Sequence, residues 1–137
     1  MRTKLALWSA GLLLSAAAPM LAHHAFAAEF DDKKPIEVTG TVSKLEWMNP
    51  HIWLYVDGKD ETGKVATWAF EGGPPAFLIR AGWTRNALKA GDTVTVRGFR
   101  AKDGSTNAAS RQVTLPDGKR VFAGTADDGG PTQQGKQ

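Results

Sequence analysis

From Ile36 to Val42 the apolar residues fall on every second position. Ile36, Val38 and Val42 share one face with Gly40, while Glu37, Thr39, Thr41 and Ser43 take the other. A period of two marks a strand with one buried face. The alternation then slips, because Leu45 and Trp47 are apolar on the opposite parity. A bulge near Lys44 restores it and Gly40 allows a sharp bend, so a long, bent first strand is expected over 36–47. Asn49-Pro50 ends it.

His51 to Val56 predicts a second strand, with Ile52, Leu54 and Val56 alternating against His51, Trp53 and Tyr55. The polar stretch Asp57 to Gly63 reads as a hairpin turn, and Val65 to Glu71 as a third strand with Trp68 and Phe70 on its core face. Pro75 to Ala81 follows Gly72-Gly73-Pro74 and has proline in its first turn, Arg80 near its end and Gly82 just beyond, the punctuation of a short helix. Thr93 to Phe99 is the fourth strand, with Val94 and Val96 inward, and Ala108 to Leu115 the fifth. Asp117-Gly118 opens a last short hairpin into Val121-Phe122.

Three strands, a helix and two further strands is the order of the oligonucleotide/oligosaccharide-binding barrel. The expectation is a mainly β chain: a small five-stranded OB-like barrel with one short helix between strands 3 and 4. An immunoglobulin-like sandwich needs about seven strands and no helix, and fits less well.

The amino-terminal residues follow a different pattern. Arg2 and Lys4 precede an uncharged run from Leu5 to Ala18 that ends at Pro19. This is the layout of a secretory signal peptide, and the run is shorter than the roughly 20 apolar residues a membrane span requires. Cleavage after Ala22 is favoured, which makes His23 the mature amino terminus; Ala25-Phe26-Ala27 also fits the small-x-small rule, and a cut after Ala27 removes both His23 and His24. The expected organisation is therefore a signal peptide over 1–22, one domain with an amino-terminal arm over 23–123, and a disordered tail over 124–137, where Gly, Asp, Gln and Thr leave almost nothing to bury. The expected location is the periplasm, with no transmembrane segment after processing.

Composition narrows the chemistry. Of 17 Lys and Arg, two lie in the leader, so 15 basic side chains oppose 14 acidic ones in the mature chain. With no basic block, nucleic acid is not an expected partner. The absence of cysteine excludes thiol catalysis, thiolate zinc sites and iron–sulfur clusters. No nucleophile elbow, phosphate-cradling glycine loop or H-E-x-x-H helix occurs, so enzymatic activity is not expected.

What remains is three histidines and a group of aromatics. His51 falls in the loop after the first strand, Met48-Asn49-Pro50-His51, at the edge where barrels of this type take ligands. Trp47, Asn49, Trp53 and Tyr55 around it form a candidate ligand face. If His23 is the terminus, its α-amine and ring nitrogen can chelate one metal ion, with His24 or His51 giving a further nitrogen and Glu29 or Asp31 orienting an imidazole. Imidazole and amine donors without thiolate suit copper, held as Cu(II).

His23-His24-Ala25-Phe26, Glu29-Phe30-Asp31, Gly40-Thr41-Val42, Glu46-Trp47, Asn49-Pro50-His51, Trp68, Gly82-Trp83, Gly91-Asp92 and Asp117-Gly118 together resemble a bacterial family of exported small domains of unknown function. The resemblance covers nearly the whole mature chain. It implies that His-His-x-Phe begins the mature protein, and it brings no activity with it. A weaker likeness is to small periplasmic copper chaperones with the same barrel, which hold Cu(I) with histidine, methionines and a capping tryptophan. Trp47, Met48 and His51 are the right residue types, yet Met48 is the only methionine after the leader, so a methionine-rich site is excluded. The functional expectation is a periplasmic protein binding a small ligand or a metal, with copper held by His23, His24 and His51. The alternative is an interaction module whose aromatic face on strands 2 and 3 takes a small ligand or a periplasmic protein.

Overall fold

The computed structural model describes residues 26–125. It contains six strands: β1 (Phe30–Glu46), β2 (Trp53–Asp60), β3 (Val65–Glu71), β4 (Thr93–Ala101), β5 (Asn107–Thr114) and β6 (Arg120–Phe122). A helical turn, α1, occupies residues 26–29, and a second short helix, α2, spans Pro75–Arg80. The strands lie in the order β3-β2-β1-β4-β5-β6 with antiparallel neighbours. A further parallel pairing of β3 with β5, through Ala69–Asn107, Phe70–Ala108 and Glu71–Ala109, closes five of them into a ring. β6 sits outside that ring, and among the described residues it pairs with β5 alone.

The five expected strands and the helix between the third and fourth are present. The last hairpin expected from Asp117-Gly118 into Val121-Phe122 is present as β6, folded back onto β5 outside the ring, and α1 is added to the expectation. β1 begins six residues earlier than the alternation indicated, because Phe30 pairs with Ala101 across a break in register before Pro35. β2 starts at Trp53 and runs on to Asp60. Its polar end is held by pairing with β1 and by Asp60, whose Oδ1 accepts from the backbone N–H groups of Thr62 and Lys64. The bulge expected near Lys44 is there: the register of β1 on β2 shifts between Val42 and Lys44.

One face of every ring strand feeds a single core. Ile36, Val38, Val42, Leu54, Val56, Trp68, Phe70, Val94, Val96, Ala108 and Val113 are all buried in it. Full burial of each Val, Leu, Ile or Phe is worth about 1.5–3 kcal/mol, and in a domain without disulfides these residues carry the stability. Leu78 of α2 joins the same core, with Trp83 and Leu88 from the loop that follows. The turn out of α2 is fixed by two hydrogen bonds, Gly82 N–H to Ile79 O and Trp83 N–H to Leu78 O, the pairing of a Schellman end. Bending of β1 across β2 depends on Gly40 and Gly58, which stand opposite each other. A side chain on Gly40 would lie 2.2 Å from the Asp57 carbonyl oxygen.

A second, smaller apolar cluster forms on the outer face. Ala109 points away from the core that Ala108 enters, and it packs with Phe30, Ala101 and Phe26. Phe26 lies 5.5 Å from Phe30 and edge-on to Phe99 at 6.2 Å between ring centroids. Lys102 fastens α1 there, its backbone N–H donating to Glu29 O at 2.8 Å and its ammonium to Ala27 O. Gly124 is buried and half-buried Thr125 follows it. Residues 1–25 and 126–137, which hold the expected leader, His23, His24 and most of the expected tail, lie outside the described residues. Among the described residues no helix is long and apolar enough to cross a membrane.

Candidate functional site

The β1–β2 ladder ends at the pair Glu46–Trp53, and the chain between them crosses the edge of the sheet through exposed Met48, Asn49 and Pro50, with a cis peptide before Pro50. His51 follows, half-buried. Its backbone neighbourhood is tied down because Ile52 N–H donates to Gly73 O and Gly72 N–H to Ile52 O, extending the β2–β3 ladder past both strand ends. In that ladder Trp53 is directly opposite Glu71. His51 is two residues before Trp53, so it shares the outer face with Glu71 as a diagonal cross-strand neighbour. The two side chains meet: Nδ1 of His51 is hydrogen-bonded to Oε1 of Glu71.

This contact sets which nitrogen of the ring is presented. A carboxylate is an acceptor, so Nδ1 carries the proton and the neutral ring keeps its lone pair on Nε2. Among the described residues Nε2 has no hydrogen-bond partner. Glu71 is itself held at its backbone, where its carbonyl accepts from Ser110 Oγ at 3.0 Å. It is also the last residue of the parallel seam, facing Ala109. Ala109 belongs to the outer cluster with Phe26, so the amino-terminal arm reaches the sheet one strand away from Glu71, about 5 Å across the ladder.

The candidate ligand face is divided between several surroundings. Trp47 is half-buried against the core, its ring 6.4 Å from that of Trp83, whose Nε1 donates to Phe122 O at 2.7 Å. Asn49 is exposed, and Trp53 and Tyr55 are half-buried. The Tyr55 hydroxyl donates to Glu46 Oε2 at 3.2 Å, and the Lys44 ammonium lies 5.7 Å from the centre of its ring. Burial, reinforced by the hydrogen bond to Glu46, raises the Tyr55 pKa above its ordinary value. The bond from Lys44 lowers that of Glu46. Of the acids expected to orient an imidazole, Asp31 instead accepts from the Lys33 N–H at 3.0 Å and pairs with Lys34, while Glu29 is exposed. The residue that does hold a histidine is Glu71. Its signal in the sequence is weak: one acid at the end of a strand, whose partner emerges only once the register of β2 on β3 is known. Among the described residues no three His, Cys, Asp or Glu side chains are grouped so as to hold a metal ion.

Residues 10–110 match the model of a family of unknown function (DUF6152), and the chain belongs to that family. No curated protein and no solved structure shows a match to it.

Proposed function

We propose that this chain is an exported, periplasmic copper-binding protein in which cleavage after Ala22 frees His23, and the α-amine and imidazole of His23 chelate Cu(II) together with Nε2 of His51. The observation that carries this reading is the position of the arm relative to His51. Phe26 packs on the cluster of Phe30, Ala101 and Ala109, Ala109 faces Glu71, and Glu71 holds His51. His23 is three residues before Phe26, which corresponds to roughly 10 Å of extended chain. The strand spacing between Ala109 and Glu71 is about 5 Å, shorter than that tether, which supports His23 and His24 as candidate partners of Nε2. A carboxylate on the far nitrogen of a ligating imidazole is the usual arrangement around protein-bound metals, because it fixes the ring and raises its basicity. Nitrogen donors without thiolate favour Cu(II) in the order of divalent-metal affinities. The five-stranded ring, with α2 between β3 and β4, supports an OB-like barrel as the scaffold, and the loop before His51 is at the ligand-taking edge of such barrels.

The experiment has two steps. Intact mass of the protein recovered from a bacterial periplasm is expected to begin at His23; a chain beginning at Ala28 defeats the reading. Cu(II) is then titrated into the processed protein and into one carrying an extra amino-terminal residue, which destroys the amine–imidazole chelate. The extension is expected to weaken binding by at least about tenfold, or ~1.4 kcal/mol. Equal affinities would show that the amino terminus is not a ligand.

A further inference from the structure

A second site lies away from His51, where β1, β4 and β5 adjoin. The register of β4 on β5 breaks between Arg97 and Gly98, because Gln112 pairs with Arg97 while Ser110 pairs with Gly98, leaving Arg111 as the extra residue of a bulge. A cleft of about 470 Å³, mostly apolar, lies beside this bulge, with Pro35, Ile36 and Phe99 among its walls. That is within the size range of small-ligand sites, roughly 300–1,000 Å³. Arg97, Arg111, Glu37 and Glu61 stand around it.

The charges of this rim are not equally engaged. Both oxygens of Glu61 are occupied, Oε1 by Arg100 and Oε2 by the backbone N–H of Glu37 at 3.0 Å. Glu37 accepts from Nε of Arg97. Arg97 uses only that nitrogen: among the described residues its two terminal nitrogens have no hydrogen-bond partner, and its side chain is half-exposed. The guanidinium of Arg111 stands over the Phe99 ring, 5.9 Å from its centre, so an aromatic surface and two guanidinium groups border one apolar space. With Glu61 fully bonded and Glu37 paired through one oxygen to Nε, the Arg97 fork keeps donors to spare for an anion, and planar forks match carboxylates and sulfonates in particular.

We infer that this cleft binds a small organic anion with a flat apolar body, of the aromatic carboxylate or sulfonate class. The body lies against Pro35 and Phe99, and the acid group takes the terminal nitrogens of Arg97 with Arg111 beside it. The inference does not rest on the copper reading, and its test uses neither His51 nor Glu71.

The test uses 8-anilinonaphthalene-1-sulfonate and its uncharged counterpart N-phenyl-1-naphthylamine as probes of the whole mature protein. The sulfonate is expected to bind one site, with amide NMR shifts centred on Gly98, Phe99 and Gln112. Arg97→Gln is expected to weaken it by about tenfold, the size of one lost charge-assisted bond, and to leave the neutral amine within about twofold. Shifts centred instead on the exposed Met48 and Ile79 would overturn the assignment. So would an equal loss of both probes in Arg97→Gln, which would mark the arginine as structural. Arg97 is a surface side chain, and a thermal melt of the variant that matches the parent removes misfolding as the cause of any loss.

Discussion

Nδ1 of His51 and the carboxylate of Glu71 meet on the outer face of the ring, at the one place where an edge loop, the end of β3 and the parallel seam to β5 converge. The contact depends on the β2–β3 register, which sets Trp53 opposite Glu71. It depends equally on ring closure, because Ser110 of β5 holds the Glu71 carbonyl. A histidine placed by three strands has little rotational freedom left to lose when it takes a ligand, and that lowers the entropic cost of binding.

Glu71→Ala therefore has an effect that is readable without metal. Nitrogen-15 NMR of the metal-free protein is expected to show His51 protonated on Nδ1 in the parent and released from that tautomer in the variant. Copper affinity should fall by about 10–100-fold, the usual consequence of removing an imidazole's outer partner. An unchanged tautomer would remove Glu71 from the site, whereas a changed tautomer with unchanged copper affinity would remove His51.

Gly98 tests the closeness of β4 to β5. An added Cβ there would stand 1.7 Å from the Ala109 carbonyl oxygen, which is backbone and has nowhere to yield. Gly98→Ala is expected to cost about 3 kcal/mol or more, at or above the upper end for overpacked positions. Chemical denaturation measures it, and a loss below about 1 kcal/mol would mean that the strands separate there at little cost.

Much of this architecture was legible in the order of apolar residues. The alternation of Ile36, Val38 and Val42, the slip at Lys44 and the proline–glycine bracket around α2 have local causes, and each appears where those causes put it. β3 matches its expected bounds, since Trp68 and Phe70 leave it only one inward face. The start of β1 was not legible, because Asp31 to Lys34 carry no alternation and Phe30 is held by tertiary packing on Ala101. Nor was Glu71: its partner is 20 residues away, and their meeting depends on a cross-strand register that no local pattern encodes. The loop with His51 was recognisable from Asn49-Pro50, whereas Trp47, assigned to the ligand face, packs against the core and lies beside Trp83.

Trp83 joins the loop after α2 to the last strand. It is buried, and its only polar atom, Nε1, donates to Phe122 O. Trp83→Phe removes that donor and leaves a carbonyl without its partner, along with part of a ring's volume. A loss of about 2–4 kcal/mol is expected from the two effects together. The readout is the denaturation midpoint, with amide exchange at β6 rising more than at β1. Uniform exchange across all strands would contradict a local role in holding β6.

Asp60 makes the stability of the hairpin between β2 and β3 sensitive to acid. Its side chain is buried, 1% exposed, and fully bonded: Oδ1 accepts from the hydroxyl and N–H of Thr62 and from the N–H of Lys64, and Oδ2 from Arg100 at 3.1 Å. Arg100 also pairs with Glu61, and the cations of Lys64 and Arg100 stand 5.5 and 5.9 Å from the centre of the Trp68 ring. The Thr62 hydroxyl above all, with the Lys64 N–H and Arg100, holds the Asp60 carboxyl down to about 2. In the unfolded chain an aspartate titrates near 4. A depressed folded value means that the unfolded chain takes up its proton first, so the contribution of Asp60 is complete above about pH 4 and is lost as pH falls toward about 2. Thermal midpoints measured across that window should fall steeply in the parent. In Asp60→Asn the amide oxygen can keep the Thr62 and Lys64 bonds, but its NH2 then faces the Arg100 donor, so the variant should be less stable at neutral pH and its midpoint should fall less between pH 4 and 2. Parallel curves for the two proteins would assign the acid sensitivity elsewhere, to Glu61 or Asp103, whose carboxyls are also held below their ordinary values.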